Sequence, residues 1–133
     1  MMKRMMILAL TFALATPAFA LPPLSENEYI NDRLIQARVA DRIRKECDSI
    51  NARFAYAYSQ ARALQRYALD QGYTEAEIEA FLDDRAEKDR VKAAAEAYLA
   101  ANGVVAGDAG SFCALGMKEI AAGSVAGSLI YEN

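Results

Sequence analysis

Histidine and tryptophan are absent from this chain, and it holds only two cysteines and three prolines. Lacking imidazole, it has no histidine general base, no histidine-ligated metal and no ordinary haem attachment. Four of the five methionines fall within the first six residues, so Met117 alone is left for any thioether chemistry, too little for a methionine-type copper site. No proline follows Pro23, and Gly72 is the only glycine before Gly103. Sequence so poor in helix breakers, and rich in Ala, Leu, Arg, Gln and Glu, predicts long helices. The net charge is −3, becoming −5 once the first twenty residues are set aside, a balance that argues against nucleic acid as a partner. Hydrophobic residues make up 54% of the 133, enough apolar surface for a folded core rather than disorder.

What is present begins with an export pattern. Lys3 and Arg4 precede an apolar run from Ile7 to Ala15, and Thr16-Pro17-Ala18-Phe19-Ala20 ends in small residues at the −3 and −1 positions. That is the layout of a cleaved signal peptide, with the cut expected between Ala20 and Leu21. Pro17 interrupts the run short of the roughly 20 apolar residues of a spanning helix. No cysteine follows to carry a lipid, so no stable membrane anchor is expected after cleavage. Residues 21–133 then form one domain, too short for two independent cores. In a Gram-negative cell the product is expected to be periplasmic, or else secreted.

An oxidising compartment turns Cys47 and Cys113 into a structural disulfide, the only pairing available. Closing the loop of 65 intervening residues stabilises the fold by about 4 kcal/mol on the chain-entropy model.

The apolar spacing divides the domain into helices. Ser25 and Glu28 form a capping-box pattern for a first helix running to about Cys47, with Ile30, Leu34, Ile35, Val39 and Ile43 on its apolar side. Asp48 or Ser49 is expected to cap a second helix with the stripe Ile50, Phe54, Ala57, Ala61, Leu64 and Ala68. Its alanines suit close approach of a neighbouring helix, and Gly72 suits its end. Thr74 and Glu77 cap a third region, with a bend expected between Asp84 and Lys88 and an end at Asn102-Gly103. Asp108 caps a last helix over residues 109–122, in which Gly116 signals a close contact. From Gly123 onward no helical stripe is visible, and an extended tail is expected. The fold class is therefore all-α: a bundle of four or five helices with one disulfide and an extended C-terminal tail.

Residues 33–66 carry eight basic and three acidic side chains, and residues 74–90 seven acidic and three basic. Side-by-side packing of these stretches would neutralise both. Tyr56, Tyr58, Arg62, Arg66 and Tyr67 combine the residue types of binding hot spots on one helix, making them the candidate partner surface. Asp83, Asp84, Glu87 and Asp89 are the densest carboxylates; glycosidase or metal chemistry would need them in a cleft, and a solvated helix face is the plainer expectation. Ser49, Ser59 and Ser111 have no histidine to activate them. No cofactor and no metal site is expected.

Three stretches, LPPLSENEYINDRLIQARVADRIRKEC, SQARALQRYALDQGYTEAEIEAFLDDRAEKDRV and SFCALGMKEIAAGSVAGSLIYEN, resemble a family of small exported bacterial proteins of unknown function. The resemblance spans most of the chain after residue 20 and implies no activity or site. A weaker likeness, of architecture alone, is to periplasmic acid-stress chaperones. The expected role is non-enzymatic, an interaction or envelope accessory protein with a periplasmic protein partner. The alternatives are an acid-stress chaperone and, far behind, a carboxylate-dependent hydrolase.

Overall fold

A computed structural model describes residues 20–133. The signal-peptide features at Lys3, Arg4 and Ile7 to Phe19 lie outside the described residues, and the expected cleavage point at Ala20 and Leu21 stands at their start.

The first helix begins later than its sequence pattern suggests. Residues Leu24–Glu26 make a 3-10 turn, and Asn27, not Ser25, caps α1 (Glu28–Glu46) by accepting the Ile30 amide at 3.0 Å. Asn31 explains the shift: its side-chain amide donates to the Leu24 and Asn27 carbonyls at 2.7 Å each, tying the turn to the helix. A three-residue strand, β1 (Ile50–Ala52), then separates α1 from α2 (Phe54–Gln71). The second helix therefore has no Asp48 or Ser49 cap, and Ile50 is not part of its stripe.

The remaining boundaries agree with the sequence reading. Gly72 ends α2 in the left-handed region at φ 107°. The Thr74–Glu77 capping box opens α3 (Glu75–Asp83). Asp84 breaks the third region in two, accepting the Glu87 amide at 2.9 Å to start α4 (Arg85–Ala101). Asp108 caps α5 (Ala109–Ala122). The tail is only partly extended. Ser124 caps a one-turn helix, α6 (Val125–Ser128), and β2 (Ile130–Glu132) pairs antiparallel with β1, Ile50 facing Glu132 and Ala52 facing Ile130.

The result is a helical bundle of five helices with one short extra turn and a two-stranded ribbon. Cys47 and Cys113 are joined, linking the end of α1 to α5. The main core surrounds this bridge and holds Val39, Ile43, Ile50, Leu99, Phe112 and Ile130. A smaller apolar cluster of Leu24, Ile30, Ala68, Tyr73 and Ile78 lies at the other end of α1. Gly127 is required where α6 crosses α5, because a side chain there would overlap the Glu119 backbone carbonyl.

The basic and acidic stretches do not neutralise each other as expected. Among the described residues the ion pairs are Arg42–Glu46, Arg44–Asp41, Lys45–Asp41 and Arg90–Glu87, each within one helix, plus Arg42–Glu96 between α1 and α4. Glu96 lies outside the acidic stretch. Charges three and four residues apart on a helix already meet, so the pairs that form are mostly local, and most charged groups of the two stretches enter no ion pair among the described residues.

Candidate functional site: an apolar groove beneath the second helix

Of the eighteen residues of α2, only Ala68 is buried. The helix is fastened at its ends. At the start, the Arg53 amide donates to the Leu129 carbonyl at 2.8 Å, and the Arg44 guanidinium of α1 lies over the exposed Phe54 ring at 5.4 Å. At the other end the Tyr29 and Tyr67 rings meet at 4.3 Å, and the Tyr73 hydroxyl donates to the Pro22 carbonyl at 2.6 Å. Bulky side chains thus separate α1 and α2 at both ends, while the middle offers Ala37, Ala57, Ala61 and Ala63. The alanines do not bring the helices together. They leave a hollow.

That hollow is a cavity of about 690 Å³. Its floor is α1 from Tyr29 to Ala37, its roof is α2 from Tyr56 to Ala68, and its ends are Ile78, Phe81 and Leu82 of α3 and Val125 and Leu129 of the tail. Protein interiors seldom hold voids much larger than a water molecule, whereas small-molecule sites span roughly 300–1,000 Å³. The groove runs between the main core and the smaller cluster, and its walls are mostly apolar.

The five residues of the candidate strip do not act together. Tyr58 and Arg62 stay in contact, the guanidinium donating to the Tyr58 hydroxyl at 3.2 Å, and both line the groove. Tyr56 also lines it, about 200° around the helix from Tyr58. Tyr67 turns towards α1 to stack on Tyr29, and Arg66 is exposed away from the lining. Arg33 of α1, with its guanidinium 3.6 Å from the centre of the Tyr29 ring, lies outside that strip and also lines the groove. Arg33 and Arg62 enter no ion pair among the described residues. One carboxylate, Glu79, lies in the wall.

A second polar feature fastens the tail. Glu119, on α5 and 7% exposed, accepts the Tyr98 hydroxyl at 2.6 Å and is also hydrogen-bonded by the Ser124 hydroxyl. That bond raises the Tyr98 phenol above its ordinary value of 10.0, and burial and the nearby negative charge push the same way. Gln36 of α1 accepts the Ala126 amide at 3.3 Å, so two buried polar side chains hold the tail against the bundle.

The dense carboxylates stand elsewhere. Asp84 caps α4, Glu87 pairs with Arg90, Asp83 and Asp89 are exposed, and none of the four lines the groove. Among the described residues no helix is long and apolar enough to cross a membrane.

Comparison with curated proteins and with solved structures found no match. A family profile matches residues 22–131, nearly the whole described chain, and the protein accordingly belongs to a family of unknown function, DUF5333.

Proposed function

We propose that this protein is an exported, non-enzymatic binding protein whose working site is the groove between α1 and α2. The observation that carries the reading is the 690 Å³ apolar cavity at a place where two helices would ordinarily close on each other. Leaving that much apolar surface unpacked forgoes stability, since burying it is worth about 25 cal/mol per Å². A ligand that fills the hollow recovers that stabilisation.

Export is supported by the basic, apolar and small-residue order of residues 3–20, by a family match that begins at residue 22, and by the disulfide. Disulfides persist chiefly in oxidising compartments. The polar groups lining the groove are tyrosines, arginines, glutamines, serines and a single carboxylate, a set suited to orienting a ligand at the rim.

Titration with the neutral apolar dye Nile red tests the proposal. The wild-type chain should bind it at one site with enhanced emission. Ala61→Phe places a ring in the hollow; it should weaken dye binding by about tenfold or more while raising the melting temperature. Equal dye binding by both proteins, or none by the wild type, would remove the groove as the working site.

A further inference from the structure

We infer that the groove's ligand is a single long aliphatic chain ending in a carboxylate, its chain lying along α2 and its head held by Arg33 and Arg62. This rests on the groove being the binding site and specifies what occupies it.

Backbone chemistry decides against an extended peptide as the occupant. The lining on α2 runs from Tyr56 to Ala68, a rise of about 18 Å. An extended peptide is thin enough, but its amides and carbonyls require partners wherever water is excluded. Neither β1 nor β2 lines the groove, so no strand edge is present there to pair with one. An aliphatic chain has no polar groups to satisfy along its length. It matches a long and mostly apolar hollow.

Charge then selects the head. Two guanidiniums and one carboxylate, Glu79, stand in the walls, a net positive lining in a protein whose overall charge is negative. Of the cations on α1 and α4, Arg42 is paired with Glu46 and Glu96, Arg44 and Lys45 with Asp41, and Arg90 with Glu87; Arg38, Arg85, Lys88 and Lys92 enter no ion pair among the described residues but do not line the groove. Arg33 and Arg62 have only tyrosines beside them, at the Tyr29 ring and the Tyr58 hydroxyl. Stacking leaves the edges of a guanidinium free to donate, and its fork fits a carboxylate, as it also fits a phosphate. A phenol beside each cation adds a hydroxyl at the rim.

Calorimetric titration of the intact chain with octanoate, decanoate and laurate, below their micelle concentrations, tests the occupant. Affinity should rise about tenfold for each added pair of methylenes, levelling once the chain outgrows the groove. Laurate should bind about tenfold or more tightly than dodecyltrimethylammonium, which carries the same tail length on a cationic head. Arg33→Gln and Arg62→Gln should each reduce that preference, and the double variant should erase it, whereas Lys118→Gln on α5 should bind as wild type. Equal affinity for the two heads would overturn the carboxylate assignment while leaving the groove as a binding site. Failure of every chain to displace bound Nile red would overturn the aliphatic occupant, and uptake only from phosphatidylglycerol vesicles would replace it with a diacyl lipid. Failure of Nile red itself to bind would instead remove the proposed function. The head-swap comparison needs no variant, so a misfolded arginine substitution cannot shield the inference.

Discussion

The Tyr98 hydroxyl donates to Glu119 Oε1 at 2.6 Å, joining α4 to the last turns of α5. The same carboxylate takes the Ser124 hydroxyl, so the start of the tail is fixed by the acceptor that anchors Tyr98. Tyr98→Phe leaves a buried carboxylate short of one donor and should cost about 1–3 kcal/mol in urea unfolding. The loss should also depend on pH. Because the folded state holds the Tyr98 proton more tightly than the unfolded chain, the contribution is full below pH 10.0 and declines as pH rises through the higher folded value. The stability difference between wild type and variant should therefore shrink above pH 10; a difference constant through pH 11 would contradict this.

Acid acts on a different pair of contacts. Burial alone would raise the Asp41 carboxyl, but the Lys45 hydrogen bond and the charges of Arg44 and Lys45 outweigh it and hold it below 3.8. Its contribution is present above the unfolded value and is lost as pH falls through the lower folded one. Asp41→Asn should flatten the stability profile between pH 4 and the acid limit, as read by thermal unfolding. The acid-stress chaperone alternative requires more, namely a rise in Nile red binding and in suppression of client aggregation near pH 3, where protonated carboxylates loosen the bundle. Unchanged dye binding across that range would count against it.

Reducing the bridge should destabilise the fold without first being easy to do. Cys47 is buried and Cys113 half-buried, so a reductant should reach the bridge slowly in the folded chain, through Cys113, and faster once the chain unfolds. The Cys47→Ala, Cys113→Ala double variant should lose about 4 kcal/mol, from the freedom regained by a loop of 66 residues' separation. Denaturation with and without reductant, with mass spectrometry for free thiols, measures both.

Gly127→Ala should cost about 1–3 kcal/mol, because its methyl meets the backbone of Glu119, which cannot rotate away. Gly116→Ala should cost less, since the atoms in its way belong to the Ile50 and Ile43 side chains rather than to backbone. Paired urea titrations rank the two, and the reverse order would place α6 differently on α5.

Where structure is local, the sequence was legible. The Thr74–Glu77 box, the break at Asp84, the Asp108 cap and the Gly72 stop each depend on residues within one turn, and all stand where the pattern puts them. The errors come from partners far along the chain. Ile50–Ala52 reads as the start of a helix until Ile130–Glu132 pairs with it. Ser25 lost the helix start to Asn27 because Asn31 bonds back to Leu24. The groove was hidden for a related reason: an alanine stripe on α2 predicts close packing unless Tyr29, Arg44, Phe54 and Tyr67 wedge the ends apart. Of the polar residues that organise the site, Arg33 and Gln36 sit among ordinary helical polar positions, and nothing in their spacing marks them. Glu119 is the one with a signal, the lone carboxylate of a mostly apolar helix, hence one needing a donor if buried.

Methyl-detected NMR with an added twelve-carbon carboxylate, laurate, tests the central claim most directly. The account predicts that the methyl signals of Ile30, Leu34, Leu64, Ile78 and Leu129, which line the groove, shift together and show contacts to the ligand's methylenes. Those of Val39, Ile43 and Ile50, packed in the main core, should stay in place. Shifts confined to the main core, or no contacts between the ligand and the α1–α2 methyls, would contradict it.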